Sequence, residues 1–129
     1  MIVADASVVV AAVADAGASG AVARQTMTAG ACAPAHVDAE VGSALRRLSL
    51  HGTLSQTQAT RALEALTTLP LVRAPLPPLL AEAWRHRNEV SFYDSLYVSL
   101  AQAKQIPLAT ADRGLARAAG RYCEVLLLT

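Results

Sequence analysis

Short apolar segments alternate with segments of helical periodicity along the whole chain. Strands are predicted at residues 1–4, 31–33, 71–73, 107–110 and 123–128. Helices are predicted at residues 6–14, 19–28, 36–50, in the segment after Ser55, and at residues 79–88, 92–104 and 113–119. Strands that alternate with helices form βα units, which build a parallel sheet covered by helices. The sequence therefore predicts an α/β sandwich.

Length and composition indicate one globular domain over residues 1–129. The 53% of hydrophobic and 16% of charged residues exclude a disordered chain. No apolar run reaches the roughly 18 residues that a membrane helix needs, and Met1 leads directly into the first strand. We therefore expect a cytoplasmic protein with no signal peptide, no membrane association, and reduced thiols at Cys32 and Cys123.

Two acidic residues directly follow predicted strands. Asp5 follows the first strand and Asp112 follows the fourth, and each precedes a helix. Each one alone has an ordinary interpretation as a helix N-cap, which contributes ~1 kcal/mol. However, ligands bind at the carboxyl ends of strands in open α/β sheets. If the two strands are neighbours, the two carboxylates meet in one crevice.

Two further acidic residues lie on predicted helices. Asp94 shares a helix face with Val90, Tyr97 and Val98, so it is predicted to lie in an apolar environment. A buried Asp bonded to a hydroxyl, such as that of Ser7 or Ser95, is the structural alternative. Buried unpaired charges are rare, which favours a functional site. Glu40 lies at the edge of an apolar stripe, and a surface pair with Arg47 is its alternative.

Together, Asp5, Glu40, Asp94 and Asp112 form a set of hard oxygen ligands without His or Cys. Such a set suits Mg²⁺ or Mn²⁺ rather than Zn²⁺. Carboxylates packed closely together would raise each other's pKa unless a cation neutralised them. The four acids are therefore the candidate metal-binding and catalytic residues.

At these residues the sequence resembles PIN domains, and more narrowly the VapC-type toxin ribonucleases. The resemblance covers the whole chain through the segments IVADASVVV, PAHVDAEVGSALRR, FYDSLYVSLAQ and LATADRGL. It implies that the four acids bind metal, that Thr110 is the hydroxyl residue before the last acid, and that Ser7 supports the first. Many relatives carry a further acid where this chain has Gly114, which argues against a tightly held second metal.

The resemblance implies a three-layer sandwich whose parallel sheet has the strand order 3-2-1-4-5. It also implies a Mg²⁺- or Mn²⁺-dependent endoribonuclease, with tRNA or rRNA as the expected substrate. Its products would carry a 5′-phosphate and a 3′-hydroxyl. A toxin of this type has a VapB-type antitoxin as its partner and forms a homodimer. Leucines on consecutive helices, among them Leu63, Leu66 and Leu80, favour the homodimer independently.

An RNA substrate requires cations beside the acidic residues. The candidates are Arg46, Arg47, Arg113 and Arg117, although a solvated helix face explains them equally well. The net charge of +1 neither favours nor excludes nucleic acid. The three histidines are scattered along the chain and receive no catalytic role. Trp84 and the tyrosines are predicted to pack rather than to stack on bases.

Other functions remain as alternatives. A PIN fold without turnover could serve as a binding module, although all four acids are present. A PIN nuclease could also process RNA without an antitoxin. A phosphoacceptor receiver would need a paired acid at the first strand and a Lys near the end, and neither is visible. No G-x-G-x-x-G follows the first strand, which excludes dinucleotide binding of that type.

Overall fold

A five-stranded parallel sheet in the order β3-β2-β1-β4-β5 lies at the centre of the computed structural model, which describes residues 1–129. The strands are β1 (Ile2–Ala4), β2 (Ala31–Pro34), β3 (Leu71–Ala74), β4 (Leu108–Thr110) and β5 (Val125–Leu127). All four pairings are parallel, as the alternation of strands and helices predicts. The α/β class and the strand order are therefore confirmed.

Helices cover both faces of this sheet. They are α1 (Ala6–Ala14), α2 (Ala18–Met27), α3 (Val37–Leu50), α4 (Gln56–Thr68), α5 (Leu80–Arg85), α6 (Phe92–Lys104) and α7 (Arg113–Ala119). Right-handed crossovers place α1 to α4 on one face and α5 to α7 on the other, because the chain reverses direction across the sheet after β3. Helix α1 packs on α2, α3 and α4, whereas α6 packs on β1, β2 and β4. The result is the expected three-layer sandwich.

The middle of the sheet is buried because helices cover both of its faces. Val3 and Ala4 of β1 have no exposed surface, and neither have Leu108 and Ala109 of β4. A strand covered on both sides reads as a continuous apolar run, which is the pattern of the first four residues. The neighbouring strands β1 and β4 therefore end side by side, immediately before Asp5 and close to Asp112.

Side chains cap the helices that follow these strands. The Asp5 carboxylate accepts a hydrogen bond from Val8 N at the start of α1, and the Asp112 carboxylate accepts one from Leu115 N at the start of α7. Ser91 caps α6 in the same way. The N-cap interpretation of Asp5 and Asp112 is therefore confirmed, and it leaves one oxygen of each carboxylate outside the capping bond.

Two predicted elements are shorter than expected. The helix predicted at 79–88 ends at Arg85, because the following residues form hydrogen-bonded turns around His86, whose ring is buried. Its first turn is a 3₁₀ helix at Pro77–Leu79, where proline lacks the N–H of a regular turn. The last strand covers only Val125–Leu127, which pair with the three residues of β4; Glu124 and Leu128 each add one backbone hydrogen bond to β4 beyond these pairs.

Two other expectations concern the cysteines and the membrane. Cys32 and Cys123 are both free thiols, Cys32 buried and Cys123 half-buried. No single helix has the length and apolar character to cross a membrane; α1 and α2 meet that test only as a pair bent by 116°.

Candidate active site

Asp5 is the centre of a hydrogen-bond network that joins β1 to β4. Its Oδ1 accepts a hydrogen bond from Ser7 Oγ at 2.6 Å, and its Oδ2 accepts one from Thr110 Oγ1 at 2.5 Å. Thr110 Oγ1 in turn accepts the backbone N–H of Asp112 at 3.0 Å. Ser7 and Thr110 therefore support Asp5, and the buried Thr110 hydroxyl connects the first and last acids of the set.

Burial strongly affects the Asp5 carboxyl group. Only 5% of the residue is exposed, and this burial raises its pKa because water no longer solvates the charge. Hydrogen bonds from Ser7, Thr110 and Val8 act in the opposite direction, while the charge of Asp112 adds to the increase. The net pKa lies above its ordinary value, so the site stabilises the charge of Asp5 only partly.

Glu40 is held by two donors that the sequence analysis did not assign to the site. Tyr97 Oη donates to Glu40 Oε1 at 2.7 Å, and His36 Nε2 lies 3.0 Å from the same oxygen. His36 Nε2 is also 3.0 Å from the carbonyl oxygen of Tyr93, so with two acceptors this nitrogen carries the proton. Burial raises the pKa of Glu40, but the bonds from His36 and Tyr97 outweigh it, and the net pKa is lowered.

The surface pair of Glu40 with Arg47 does not form. Arg47 Nη1 donates instead to Ser43 Oγ at 3.2 Å. The sequence predicts no catalytic role for the histidines, and the structure adds that His36 orients Glu40, an acid of the candidate site. Helical spacing could have identified this contact. His36 and Glu40 are four residues apart, so their side chains lie on the same face at the start of α3.

Of the four acids, Asp94 is the one whose negative charge the protein stabilises least. It is half-buried, and Ser91, whose Oγ accepts the Asp94 backbone N–H at 3.1 Å, is the one residue whose side-chain hydrogen bond lowers the pKa of its carboxyl group. The hydroxyl partners considered from sequence are engaged elsewhere, since Ser7 bonds to Asp5 and Ser95 to a backbone carbonyl. Burial raises the pKa of Asp94, and the charges of Glu40, Asp112 and Asp5 raise it further.

The charges of Glu40, Asp112 and Asp5 all raise the pKa of Asp94, so the four acids lie close to one another. As they stand, no three acidic, His or Cys side chains form a ready set of metal ligands. Carboxylate lone pairs remain available on Asp94, on Oε2 of Glu40 and on Oδ2 of Asp112. Such oxygens are the ligand type that a hard divalent cation prefers.

The candidate arginines lie in different places. Arg47 lines a cavity beside Glu40, whereas Arg46 lines a groove between α3 and α4. Arg113 and Arg117 are exposed on α7 and form no salt bridge. Arg113 directly follows Asp112, so it is near the acids in the chain. Their role as RNA contacts stays a prediction.

The raised pKa of Asp94 predicts a pH dependence of stability in metal-free protein. A carboxyl group whose folded pKa exceeds the ordinary value of 3.8 stabilises the fold at low pH, and that contribution is lost as pH rises through the folded pKa. The free energy of unfolding of wild type, relative to Asp94→Asn, should therefore fall as pH increases above about 4. Urea denaturation in EDTA at several pH values measures this difference. A difference that rises with pH would contradict it.

Comparison with known proteins agrees with this geometry. The family model described as "PIN domain" matches residues 2–121. The chain is 47% identical over 128 residues to Ribonuclease VapC1 of Mycobacterium tuberculosis, covering 98% of this chain and 96% of that protein. It is 36% identical over 129 residues to Ribonuclease VapC9 of the same species, covering 99% and 98%.

Solved structures share the fold at lower sequence identity. Mycobacterium tuberculosis VapC20, described as a sarcin-ricin loop cleaving toxin, has a TM-score of 0.69 at 19% identity, covering 92% of this chain and 95% of that one. FitAcB from Neisseria gonorrhoeae has a TM-score of 0.68 at 18% identity, covering 98% and 96%. The sheet order and the acids at the ends of β1 and β4 agree with these relatives. The chain belongs to the PIN domain family as a VapC-type protein.

Proposed function

We propose that the chain is the toxin of a toxin–antitoxin pair and an endoribonuclease that depends on Mg²⁺ or Mn²⁺. The observation that carries the proposal is the half-buried Asp94 carboxylate, which has a side-chain hydrogen bond only from Ser91 and lies among the charges of three other acids. Such an arrangement is unfavourable without a cation. The names of the relatives, which are ribonucleases, support the reaction type.

In this proposal Asp5, Glu40, Asp94 and Asp112 hold the ion. A bound divalent cation would make a water molecule more acidic and stabilise charge that develops on the phosphate. The protein's own contribution is to fix the ligands: Ser7 and Thr110 orient Asp5, and Tyr97 and His36 orient Glu40. Each carboxylate oxygen has two lone pairs, so Asp5 Oδ2, which accepts one hydrogen bond, is able to bind the cation together with the available oxygens of the other three acids.

The test is cleavage of purified tRNA and rRNA by the chain freed of metal and of any partner. We expect no cleavage in EDTA, cleavage after Mg²⁺ or Mn²⁺ is restored, and products with 5′-phosphate and 3′-hydroxyl ends. Cleavage in EDTA with 2′,3′-cyclic phosphate ends would contradict a metal mechanism. Metal binding without cleavage of any RNA would favour the non-catalytic binding module instead.

The antitoxin, the homodimer and the cytoplasmic location are parts of the same proposal. A cluster of acids attracts a guanidinium group as well as a metal, so a VapB-type antitoxin is expected to place an Arg among them. Fewer exposed leucines support a homodimer than the sequence indicated. Leu66 is buried in the core, and of the leucines that favoured an interface only Leu63 and Leu80 remain largely exposed, at 48% and 42%.

Tyr97→Phe is expected to weaken Mn²⁺ binding by about 10- to 100-fold, the usual cost of losing a group that orients a metal ligand. The change removes the hydroxyl that donates to Glu40 Oε1 but keeps the buried ring. Titration calorimetry with Mn²⁺ measures the affinity. Tyr122→Phe is the matched control, because its hydroxyl donates to Glu89, which is not one of the four acids. Equal loss in both variants, or none in Tyr97→Phe, would contradict the role of Tyr97.

A further inference from the structure

We propose that a cavity between α3 and the first turn of α6 is a binding subsite for one nucleotide of single-stranded RNA. In this subsite Tyr93 stacks on the base and Arg47 contacts a phosphate. The inference rests on the proposed ribonuclease function and assigns part of its substrate contact. The cavity has a volume of about 330 Å³ and is lined by Ala39, Glu40, Ser43, Arg47 and Tyr93.

The cavity is continuous with the candidate active site. Glu40 lines it directly, and Tyr93 immediately precedes Asp94 in the first turn of α6. A nucleotide seated there would therefore place its neighbouring phosphodiester beside the acids. Its volume falls at the lower end of the range of about 300–1,000 Å³ that is usual for ligand pockets, which suits one nucleotide rather than a longer segment.

Tyr93 differs from the packed aromatic residues that the sequence predicts. Its side chain is 64% exposed, although an apolar ring normally contributes more stability when buried. His36 stacks on it, with ring centroids 5.9 Å apart and an interplanar angle of 23°. His36 also bonds to the Tyr93 carbonyl oxygen and packs against the ring of Tyr97, 4.9 Å away. Tyr93 is thus an exposed ring on a fixed support, which is the form of a base-stacking platform.

Arg47 supplies a cation on the same cavity wall. Ser43, one helical turn earlier, accepts a hydrogen bond from its Nη1 at 3.2 Å and so orients the guanidinium group. Arg47 forms no salt bridge, which leaves its charge available. A planar guanidinium group binds phosphate oxygens through two parallel hydrogen bonds. An aromatic platform beside an unpaired Arg fits a nucleotide better than it fits an acidic peptide, which offers no base to stack.

This arrangement has a consequence for substrate choice. A base can stack on Tyr93 only when it is not paired and stacked within a duplex, so the subsite selects loops, bulges or single strands. Every base has a π-face, and stacking therefore adds affinity with little dependence on base identity. Tyr93 therefore adds affinity for RNA at unpaired positions. Other residues determine the sequence preference of cleavage.

The experiment is fluorescence anisotropy of a labelled single-stranded oligoribonucleotide in EDTA, so that binding is read without cleavage. Tyr93→Leu is expected to weaken binding by about 5- to 150-fold, the range that corresponds to loss of one base–aromatic stack. Tyr93→Trp should retain or improve the affinity, because indole is a larger platform. Trp84→Leu is the matched control: Trp84 is also exposed, at 59%, but lies outside the cavity with Arg87 over its ring at 4.9 Å.

A second ligand separates stacking from charge. With an abasic sugar–phosphate chain of equal length, Tyr93→Leu should bind as tightly as wild type, because no base is present. Arg47→Gln should weaken both ligands and lower the dependence of log K on log salt by about 1, as expected for one phosphate contact. Arg61→Gln is its control, since Arg61 is also an exposed arginine without a salt bridge but lies on α4, outside the cavity.

Failure of this inference is distinct from failure of the proposed function. If wild type cleaves RNA and Tyr93→Leu binds both ligands like wild type, the subsite is wrong and the ribonuclease stands. Equal loss for the base-bearing and abasic ligands would likewise overturn stacking by Tyr93. If Tyr93→Leu alters only the self-association measured by sedimentation, the exposed ring belongs to a protein interface. No RNA binding or cleavage by wild type overturns both proposals.

Discussion

Asp94→Asn is expected to lower the rate of RNA cleavage by at least about a hundredfold, a loss of about 2.7 kcal/mol at 1.36 kcal/mol per tenfold. The same change should leave the metal-free protein as stable as wild type or more stable. The Asp94 carboxylate is half-buried, has a side-chain hydrogen bond only from Ser91, and is repelled by the charges of Glu40, Asp112 and Asp5. Removing its charge relieves that repulsion but deprives a cation of a ligand.

The Asp94→Asn result requires two measurements on the same protein. Cleavage in Mg²⁺ gives the rate, and urea denaturation in EDTA at neutral pH gives the free energy of unfolding. Glu64→Gln is the control, because it removes one negative charge from the exposed surface of α4, away from the site. A variant that cleaves at the wild-type rate would remove Asp94 from the catalytic set. A variant that is strongly destabilised would assign Asp94 a structural role.

Asp5→Ala is expected to abolish cleavage and also to destabilise the fold by about 2 kcal/mol, from the lost cap and hydrogen bonds. Sequence alone suggests a neutral or stabilising effect, because it indicates a carboxylate repelled by three other acids. The structure reverses that expectation. Ser7, Thr110 and Val8 N all donate to Asp5, and the hydroxyl of the fully buried Thr110 would lose its acceptor. Because burial raises the net pKa of Asp5, its charge does not itself stabilise the fold; the expected loss comes from the cap and from the donors left without an acceptor.

A double-mutant cycle separates the contributions of Asp5. Thr110→Val removes the buried donor while keeping the shape of the side chain, and the double variant with Asp5→Ala shows whether the two losses are shared. We expect the combined destabilisation to be clearly smaller than the sum of the two single effects. Additive effects would mean that Thr110 and Asp5 stabilise the fold independently. Asp5→Ala protein that is folded and cleaves RNA normally would falsify the proposed nuclease site.

The order of helices and strands was predictable because its signals are local. Asp112 and Ser91 lie directly before the helices that they cap, and a cap needs only the next three residues of chain. The exceptions are instructive. Helix α5 ends at Arg85, earlier than predicted, where the buried His86 bonds to Gln102 of α6 at 2.9 Å. Local periodicity does not encode this contact.

The four acids could also be identified from sequence, since ionised residues in apolar surroundings are costly and therefore conspicuous. Their supporting partners were harder to find. Only the resemblance to a family indicates Thr110 and Ser7, and the sequence predicts neither His36 nor Tyr97 as a partner of Glu40. The sequence predicts that Tyr93 packs, yet it is largely exposed. Exposure and hydrogen bonding depend on which elements become neighbours, and a single sequence does not state this directly.

The sequence by itself determined the elements, the caps and the identity of the acids, because each depends on residues within a few positions of one another. The tertiary structure alone decided which groups surround those acids. Thr110 reaches Asp5 across 105 residues, and Tyr97 reaches Glu40 across 57. Such contacts form only when β1 pairs with β4 and α6 packs against the sheet. Burial and distant donors then set the pKa of each acid, so the same chemical group, a carboxylate, is favoured as an anion at Glu40 and disfavoured at Asp94.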